Sequence, residues 1–253
     1  MIRAWWGFVR SLVVYGRPGR QRGLRRFYAP FVGPGDLVFD VGAHVGDRTA
    51  AFAALGARVV AVEPQPRFAR WLRRRVGRAA GVTVLEEAVG AAPGTARLAV
   101  SDANPTLSTL ADAWRERVGD VNPGFRSVRW DRGLDVPVTT LDRLIEEHGV
   151  PRFVKIDVEG YEAEVLTGLS VPIDVLSVEF VAGTLDGAIR CVERLRDLDD
   201  YRWQAVAGER RTWHWGGWRA PHEVRAWLEA GADGLASGDL YARRATLLTP
   251  AHP

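Results

Sequence analysis

Short apolar runs alternate with amphipathic stretches along most of the chain, and the two kinds of pattern predict different elements. The runs that predict buried strands in the first half are Leu37–Val41, Arg58–Val62 and Val82–Glu86. The stretches between them, Asp47–Leu55 and Arg67–Val76, have the spacing of helices with one apolar face. Strands that alternate with helices in this way predict an α/β fold with a mostly parallel sheet and helices on both faces.

The alternation is interrupted once and then resumes. The stretch from Ser101 to Gly133 is polar and contains two Asn-Pro turn signals, and Ala96–Val100 before it is a candidate strand. Loops of this length in compact domains are often functional. Further strands are predicted at Phe153–Asp157, Asp174–Phe180 and Leu240–Ala242, and further helices between Thr140 and Gly149 and at Tyr161–Leu166, Leu185–Leu198 and Pro221–Ala230.

Length and charge divide the 253 residues into one large domain, 36–253, and a basic segment, 1–35. That segment has seven arginines and no acid, and its apolar residues fit one broad helical face. We favour a helical lid over the cofactor cleft or a homodimer contact. A patch for an anionic substrate and a peripheral helix at a membrane surface are the alternatives.

The remaining composition excludes several classes of protein. No apolar run is long enough to cross a bilayer, and the first residues do not form a signal peptide, so a cytoplasmic protein is predicted. Cys191 is the single cysteine, which excludes a disulfide framework and a cysteine zinc site. The net charge is only +3 and the basic excess lies at one end, which argues against a nucleic-acid partner.

The first predicted strand ends in the glycine-rich loop LVFDVGAHVGD. Strand, glycine turn and helix form the nucleotide-binding arrangement of open α/β sheets, and Glu63 at the end of the second strand suits the hydroxyls of a ribose. The loop has the pattern Asp40-x-Gly42-x-x-x-Gly46, whereas dinucleotide enzymes prefer G-x-G-x-x-G. The loop resembles the D-x-G-x-G-x-G loop of S-adenosylmethionine (SAM) methyltransferases, with His44 at the middle glycine, and this resemblance predicts SAM as the cofactor. SAM has no phosphate, so an acid at Asp40 is tolerable near its ammonium group; NAD(P) and a ligand-free turn are the alternatives.

Six motifs occur in a fixed order: DVGAHVGD, VVAVEP, EEAVG, VTTLD, VKIDVEGYEAEVLTG and SVEF. Together they resemble the FkbM family of SAM-dependent methyltransferases over roughly residues 24–200. The resemblance implies a Rossmann-like class I methyltransferase fold with a seven-stranded sheet, and most often O-methylation of a hydroxyl on a sugar, glycan or secondary metabolite. His44 stands where members commonly carry Asn. The predicted cofactor-binding residues are Asp40, Gly42, Ala43, His44, Gly46, Thr49, Glu63, Pro64, Glu87, Ala88 and Asp157.

The KIDVEG motif holds the chain's only lysine and two acids at the carboxyl end of a predicted strand. Asp157 and Glu159 are the predicted catalytic residues, because a sugar hydroxyl is a poor nucleophile and needs a base. In the alternative interpretation Lys155 forms a structural ion pair with Asp157 or Glu179, and Glu159 caps the next helix. A divalent metal held by these three acids is an alternative that we do not favour. Glu162 is assigned to a solvated helix face.

Four residues are candidates for contact with the acceptor, a small molecule or a glycan. Asn104 and Ser108 lie in the polar loop, Glu179 ends a strand, and His214 lies within the tryptophan cluster WHWGGW. An ordinary polar loop and core packing of the tryptophans are the alternatives. An N-methyltransferase of the same fold and a non-catalytic SAM-binding protein are the competing functions, although the intact glycine loop and Glu63 disfavour the second.

Overall fold

The computed structural model describes residues 19–101, 103, 108–111 and 128–248, and its main feature is a seven-stranded sheet. The ten strands are β1 (Leu37–Val41), β2 (Arg58–Val62), β3 (Val82–Leu85), β4 (Ala88–Val89), β5 (Gly94–Val100), β6 (Arg132–Thr139), β7 (Phe153–Ile156), β8 (Val175–Val181), β9 (Tyr201–Ala207) and β10 (Ser237–Arg244). The main sheet has the order β3-β2-β1-β7-β8-β10-β9. Only β10 runs antiparallel to its neighbours. The predicted fold class is confirmed.

Helices connect these strands. They are α1 (Arg20–Tyr28), α2 (Asp47–Ala54), α3 (Pro66–Arg75), α4 (Leu141–His148), α5 (Glu162–Thr167), α6 (Leu185–Leu198) and α7 (Pro221–Glu229), with short 3-10 turns at Ala232–Gly234 and Ala245–Leu247. The start of α4 shows how the sequence fixes a boundary: the side chain of Thr140 accepts a hydrogen bond from the backbone N–H of Arg143 at 3.2 Å. None of the helices in the described ranges has the length and hydropathy needed to cross a bilayer.

The register of the central strands brings three chain segments to one edge of the sheet. Val41, the last residue of β1, lies beside Val62 of β2 and Ile156 of β7. Parallel strands paired in this way end together, so the residues that follow them meet at a single crevice. The glycine loop, Glu63 and Asp157 therefore converge at this edge, although they are far apart in sequence.

The described part of the basic N-terminal segment is built into the core. Leu24, Tyr28, Phe31 and Val32 are buried in the same apolar cluster as Phe153 of the central sheet, and α1 contacts α2. Residues 1–18 lie outside the described ranges, so a role for the segment as a lid or a dimer contact stays a prediction.

A second sheet of three strands, in the order β4-β6-β5, was not predicted. Sequence analysis placed no strand over Arg132–Thr139, because Asp135 and Pro137 interrupt the apolar pattern there. The strand forms by antiparallel pairing with β5, which lies more than thirty residues earlier in the chain. Strand formation of this kind depends on a distant partner as much as on local propensity.

Candidate active site

A cleft lies at the carboxyl ends of β1, β2 and β7. Its empty space, including the solvent-open mouth, is about 880 Å³. The predicted cofactor residues that line it are Asp40, Gly42, Ala43, His44, Glu63, Pro64, Glu87, Ala88 and Asp157. The structure therefore brings together residues from four separate motifs.

The glycine loop closes one side of the cleft, and Gly42 has no room for a side chain. Its φ is +81°, and a Cβ atom there would overlap the carbonyl oxygen of Asp157. The backbone N–H groups of Gly42 and Ala43 both donate to the carbonyl of Val62, at 2.9 and 3.1 Å. Gly42 thus allows β1 and the KIDVEG turn to approach closely, which shapes the floor of the cleft.

Gly42→Ala is expected to destabilise the protein by more than about 3 kcal/mol, because it combines an unfavourable φ with backbone overlap. Gly35→Ala is the matched control, since Gly35 has a φ of +85° but a Cβ there would meet nothing within 4 Å. That variant should lose only about 1 to 2 kcal/mol. Urea unfolding of both variants measures the difference; equal losses would mean that the close approach to Asp157 is relaxed in solution.

Glu63 is held rigidly at the end of β2. Its carboxylate accepts the backbone N–H of His44 at 2.9 Å and that of Gln65 at 2.9 Å, and the residue is 3% exposed. Burial raises the pKa of Glu63 to about 7, against the opposing effect of those two N–H donors. A carboxylate fixed in this way at a cleft can accept the two vicinal hydroxyls of a ribose.

His44 contributes its backbone and its ring to the same wall. Its φ is +47°, a conformation in which Asn, Asp and His are enriched. Its ring lies 4.3 Å from the ring of Phe68, and burial lowers the pKa of His44 to about 4. The imidazole is therefore neutral near pH 7.

Two predicted cofactor residues lie behind the cleft wall rather than on it. Thr49 is fully buried and donates its hydroxyl to the Asp40 carboxylate at 2.5 Å. Burial raises the pKa of Asp40 to about 6. A Cβ at Gly46 would overlap the side chain of Leu72. Neither Thr49 nor Gly46 is among the described residues that line the cleft, and a direct cofactor contact from either stays a prediction.

Lys155 is fully buried and lies between two carboxylates. Its Nζ donates to Asp157 at 3.1 Å and to Asp239, on β10, at 3.0 Å. Burial disfavours the charged amine, but these two acids raise the pKa of Lys155 above its ordinary value. Sequence analysis considered Asp157 or Glu179 as the partner; the second partner is Asp239, which strand pairing alone brings close.

Three acids form a cluster beyond Lys155. Asp157, Glu159 and Glu179 each place one carboxylate oxygen within 4.8 Å of the others. Burial opposes ionisation of Asp157, but Lys155 and Arg48 outweigh it and lower its pKa. Burial and the charge of Asp157 raise the pKa of both Glu159 and Glu179 well above the usual range. Asp157 is therefore the acid of the cluster whose ionised form is favoured, whereas ionisation of the two glutamates is opposed.

A second cleft lies between the end of β8 and the first turns of α5 and α6. It shares Leu110 and Tyr161 with the first cleft, and Glu179 lines it. Glu162 also lines it and is 7% exposed, so its assignment to a solvated helix face was wrong. The Glu162 carboxylate accepts the backbone N–H groups of Val158 and Gly160 at 3.0 and 3.3 Å, which stabilises the turn that carries Glu159.

The remaining predicted contact residues fall in different places. Ser108 lines the first cleft, and Asn104 lies outside the described residues. His214 hydrogen-bonds Asp233 at 2.8 Å and is not among the described residues that line either cleft. Nearby, Trp215 is 9% exposed and packs against Trp227, which agrees with core packing.

Sequence analysis missed several residues that line the first cleft. Arg48 and Asp47 occupy the first turn of α2, and Gln65 follows Glu63. Thr109 was not missed in this way, because it belongs to the polar loop already considered for acceptor contact; it donates its hydroxyl to the carbonyl of Glu159 at 2.7 Å. Arg48 and Asp47 are adjacent to the glycine loop in sequence, and that proximity was the one signal available for them.

The sheet order, with a glycine loop after β1 and an acid after β2, is the arrangement of a SAM-dependent methyltransferase of class I, and SAM is its cofactor. The close backbone turn at Gly42 and the Glu63 carboxylate fit an adenosyl ligand. A family model described as the methyltransferase FkbM domain matches residues 40–233. The chain belongs to this family, as the order of its motifs predicts.

Several solved structures resemble the chain distantly. Precorrin-6y C5,15-methyltransferase from Geobacter metallireducens is 14% identical, with 89% of this chain and 87% of that chain covered and a TM-score of 0.45. An rRNA methylase from Streptococcus thermophilus is 11% identical, with 87% and 93% covered and a TM-score of 0.43. A SAM-dependent O-methyltransferase from Thermotoga maritima is 12% identical, with 90% and 65% covered and a TM-score of 0.41. None of the curated proteins matches this chain.

Proposed function

We propose that the protein methylates a hydroxyl oxygen of a sugar, a glycan or a secondary metabolite. The observation that carries this proposal is the ionised Asp157 where the two clefts approach each other. Asp157 lines the cofactor cleft and Glu179 lines the second cleft, yet their carboxylate oxygens lie within 4.8 Å. An acceptor in the second cleft can therefore present its hydroxyl to a base beside the cofactor.

Asp157 is the group that can remove the proton of the acceptor hydroxyl. The charge of Lys155 keeps Asp157 ionised, and the two hydrogen bonds of Lys155 fix its position between Asp157 and Asp239. When bound, SAM supplies a methyl group on a sulfonium, so that transfer to the hydroxyl oxygen leaves a neutral thioether. The hydroxyl proton ends on Asp157 and leaves through the open side of the cleft.

Glu159 and Glu179 act differently from Asp157 in this proposal. Burial and the neighbouring negative charge raise the pKa of both and so favour the protonated form, which can donate a hydrogen bond to the acceptor. Such bonds orient the hydroxyl for attack, which is the main requirement of an in-line displacement. Glu159 then positions the acceptor, and Asp157 alone acts as base.

The second cleft offers several polar groups to a polyhydroxylated acceptor. Thr184, Asp186 and Arg190 lie at its α6 side, opposite Glu162 and Tyr161. Hydrogen-bond donors and acceptors on facing walls suit the many hydroxyls of a sugar. Tyr161 lines both clefts, so it lies where the acceptor and the cofactor meet.

An amine acceptor is the second candidate. Four acids and one arginine line the described part of the second cleft: Glu162, Glu164, Glu179, Asp186 and Arg190. Those of the acids that are ionised attract a cation, and an amine methylated by the same fold would give an N-methyltransferase. The same acids also accept hydroxyl hydrogens, so the acceptor screen must contain both classes.

A mass-shift screen tests the proposal. The protein is incubated with SAM and two panels of acceptors, polyols and glycosides in one and primary amines in the other, with EDTA present. We expect a mass gain of one methyl group on a hydroxyl compound, and the same yield without EDTA, because no step above requires a metal. A mass gain confined to the amine panel would mean that the protein is an N-methyltransferase. Loss of activity in EDTA would mean that the reaction requires a divalent metal.

A further inference from the structure

Arg48 lies in the first turn of α2 and lines the cofactor cleft. Its side chain is only 15% exposed. A guanidinium carries five N–H donors and no acceptor, so a buried one requires several oxygen partners. The described residues supply few of them.

The contacts that Arg48 makes are long. Its Nη1 is 3.5 Å from Asp47 Oδ1, and its Nη2 is 3.5 Å from Glu209 Oε1 on a side chain that is 52% exposed. Its Nε is buried and has no hydrogen-bond partner among the described residues. Charge-assisted hydrogen bonds are normally about 2.7 to 2.9 Å long, so neither contact satisfies this cation.

Asp47 cannot supply the missing hydrogen bonds of Arg48, because both of its carboxylate oxygens already accept hydrogen bonds. Its Oδ2 accepts Nε of Arg20 at 2.7 Å, and its Oδ1 accepts the backbone N–H of Arg48 at 2.9 Å. Arg48 therefore lines the cleft with donors to spare. The first turn of a helix also favours a negative charge, which strengthens the site for an anion.

The position of Arg48 identifies which anion fits. Glu63 marks the ribose end of the cleft, and its carboxylate holds the loop at His44. Arg48 comes four residues after His44 in the chain. It lies towards Asp157, with which it interacts electrostatically. The amino-acid end of SAM carries one carboxylate and one ammonium group. Several acids among the lining residues suit the ammonium, whereas Arg48 is the one arginine or lysine among the described residues that line the cleft and so suits the carboxylate.

We propose that Arg48 binds the carboxylate of the amino-acid moiety of SAM, an inference that rests on SAM being the cofactor. A guanidinium and a carboxylate match in shape, with two parallel N–H···O bonds. Arg48 therefore makes the cleft select cofactors that carry the intact amino acid. Adenosyl compounds that lack this carboxylate lose that contact.

The test compares SAM with decarboxylated SAM, which keeps the sulfonium and the amine. Calorimetric dissociation constants are measured for the wild-type protein, Arg48→Met and Arg20→Met. Wild-type protein should bind SAM about 10- to 100-fold more tightly than decarboxylated SAM, and Arg48→Met should remove that preference by weakening SAM alone. Arg20→Met is the matched control: it removes a neighbouring arginine that also pairs with Asp47 and Glu209, and the preference should survive.

The other outcomes are distinguishable. If wild-type protein binds neither compound, SAM is not the cofactor and the proposed function fails as well. If Arg48→Met weakens both compounds equally, Arg48 only supports the loop and the carboxylate contact is refuted. If Arg48→Met leaves SAM binding unchanged but raises the KM of an anionic acceptor, the guanidinium serves the acceptor and the inference is overturned.

Discussion

Asp157→Asn is expected to lower turnover by about a thousandfold, the contribution of a positioned general base. Asp157 is the one acid of its cluster whose pKa is lowered, because Lys155 and Arg48 outweigh its burial. Asparagine keeps the shape of the side chain and its hydrogen bond with Lys155 but cannot take a proton. Binding of SAM should change by less than about tenfold, since at most one contact is altered.

Glu159→Gln is the matched control for this substitution. The pKa of Glu159 is raised well above its usual range by burial and by the charge of Asp157, which favours the neutral side chain. Glutamine mimics the neutral acid and should retain most of the activity near pH 7. Single-turnover rates with saturating SAM and an acceptor found in the screen measure both variants.

The reverse pattern would refute the assignment of roles. If the Asp157→Asn variant were fully active, or if only the Glu159→Gln variant lost activity, Glu159 would be the general base. Because Lys155 also pairs with Asp239 at 3.0 Å, Asp157→Asn leaves the buried lysine with one charged partner. Circular dichroism and urea unfolding of the same samples exclude loss of the fold as the cause.

Glu63→Ala is expected to weaken SAM binding by about 100-fold or more. Hydrogen bonds to a charged group contribute about 1.5 to 3 kcal/mol each, and a ribose offers two hydroxyls. The substitution also removes the acceptor of the His44 and Gln65 N–H groups, which hold the loop. Calorimetric titration with S-adenosylhomocysteine measures the loss without turnover, and an unchanged affinity would remove Glu63 from the ribose contact.

The pH dependence of binding tests the same residue independently. The pKa of Glu63 is raised to about 7 in the free protein, and bound hydroxyls favour its ionised form. Ionisation must therefore accompany binding, so affinity rises with pH and levels off above pH 7. Between pH 8 and pH 6 we expect about a tenfold loss of affinity.

Two variants separate Glu63 from other groups that titrate nearby. Glu63→Gln cannot ionise, so its weaker binding should be flat between pH 6 and pH 8. Glu162→Gln should keep the wild-type slope, although the pKa of Glu162 is also raised to about 7 by burial, because Glu162 lines the second cleft and not the first. A slope that disappears in Glu162→Gln instead would assign the titration to the second cleft.

Local patterns in the sequence were sufficient for the cofactor half of this protein. Strand β1 was predicted with its observed bounds, Leu37–Val41, since a buried parallel strand needs a continuous apolar run. Gly42 and Glu63 were predicted because each adjoins a strand end, and strand ends in this fold meet at one crevice. The helix from Leu141 to His148 followed from its threonine cap and its terminal glycine.

Other elements had no local signal strong enough to find them. Strand β6 depends on pairing with β5, and its own sequence is interrupted by Asp135 and Pro137. Glu162 has the spacing of a solvated helix residue, yet it is buried because its carboxylate caps the KIDVEG turn. In both cases the deciding partner is a backbone group whose position the residue itself does not reveal.

The sequence by itself determined the fold class, the family and the identity of the residues around the glycine loop, because these depend on short-range pattern and order. Tertiary structure alone decided that Lys155 lies between Asp157 and Asp239, since Asp239 is 84 positions beyond Lys155 in the chain. It also decided that the pKa of Asp157 is lowered while those of Glu159 and Glu179 are raised, and that Arg48 lines the cleft. Ionisation and hydrogen bonding depend on burial and on distances of a few ångströms between side chains, and only the packing of distant segments sets these quantities.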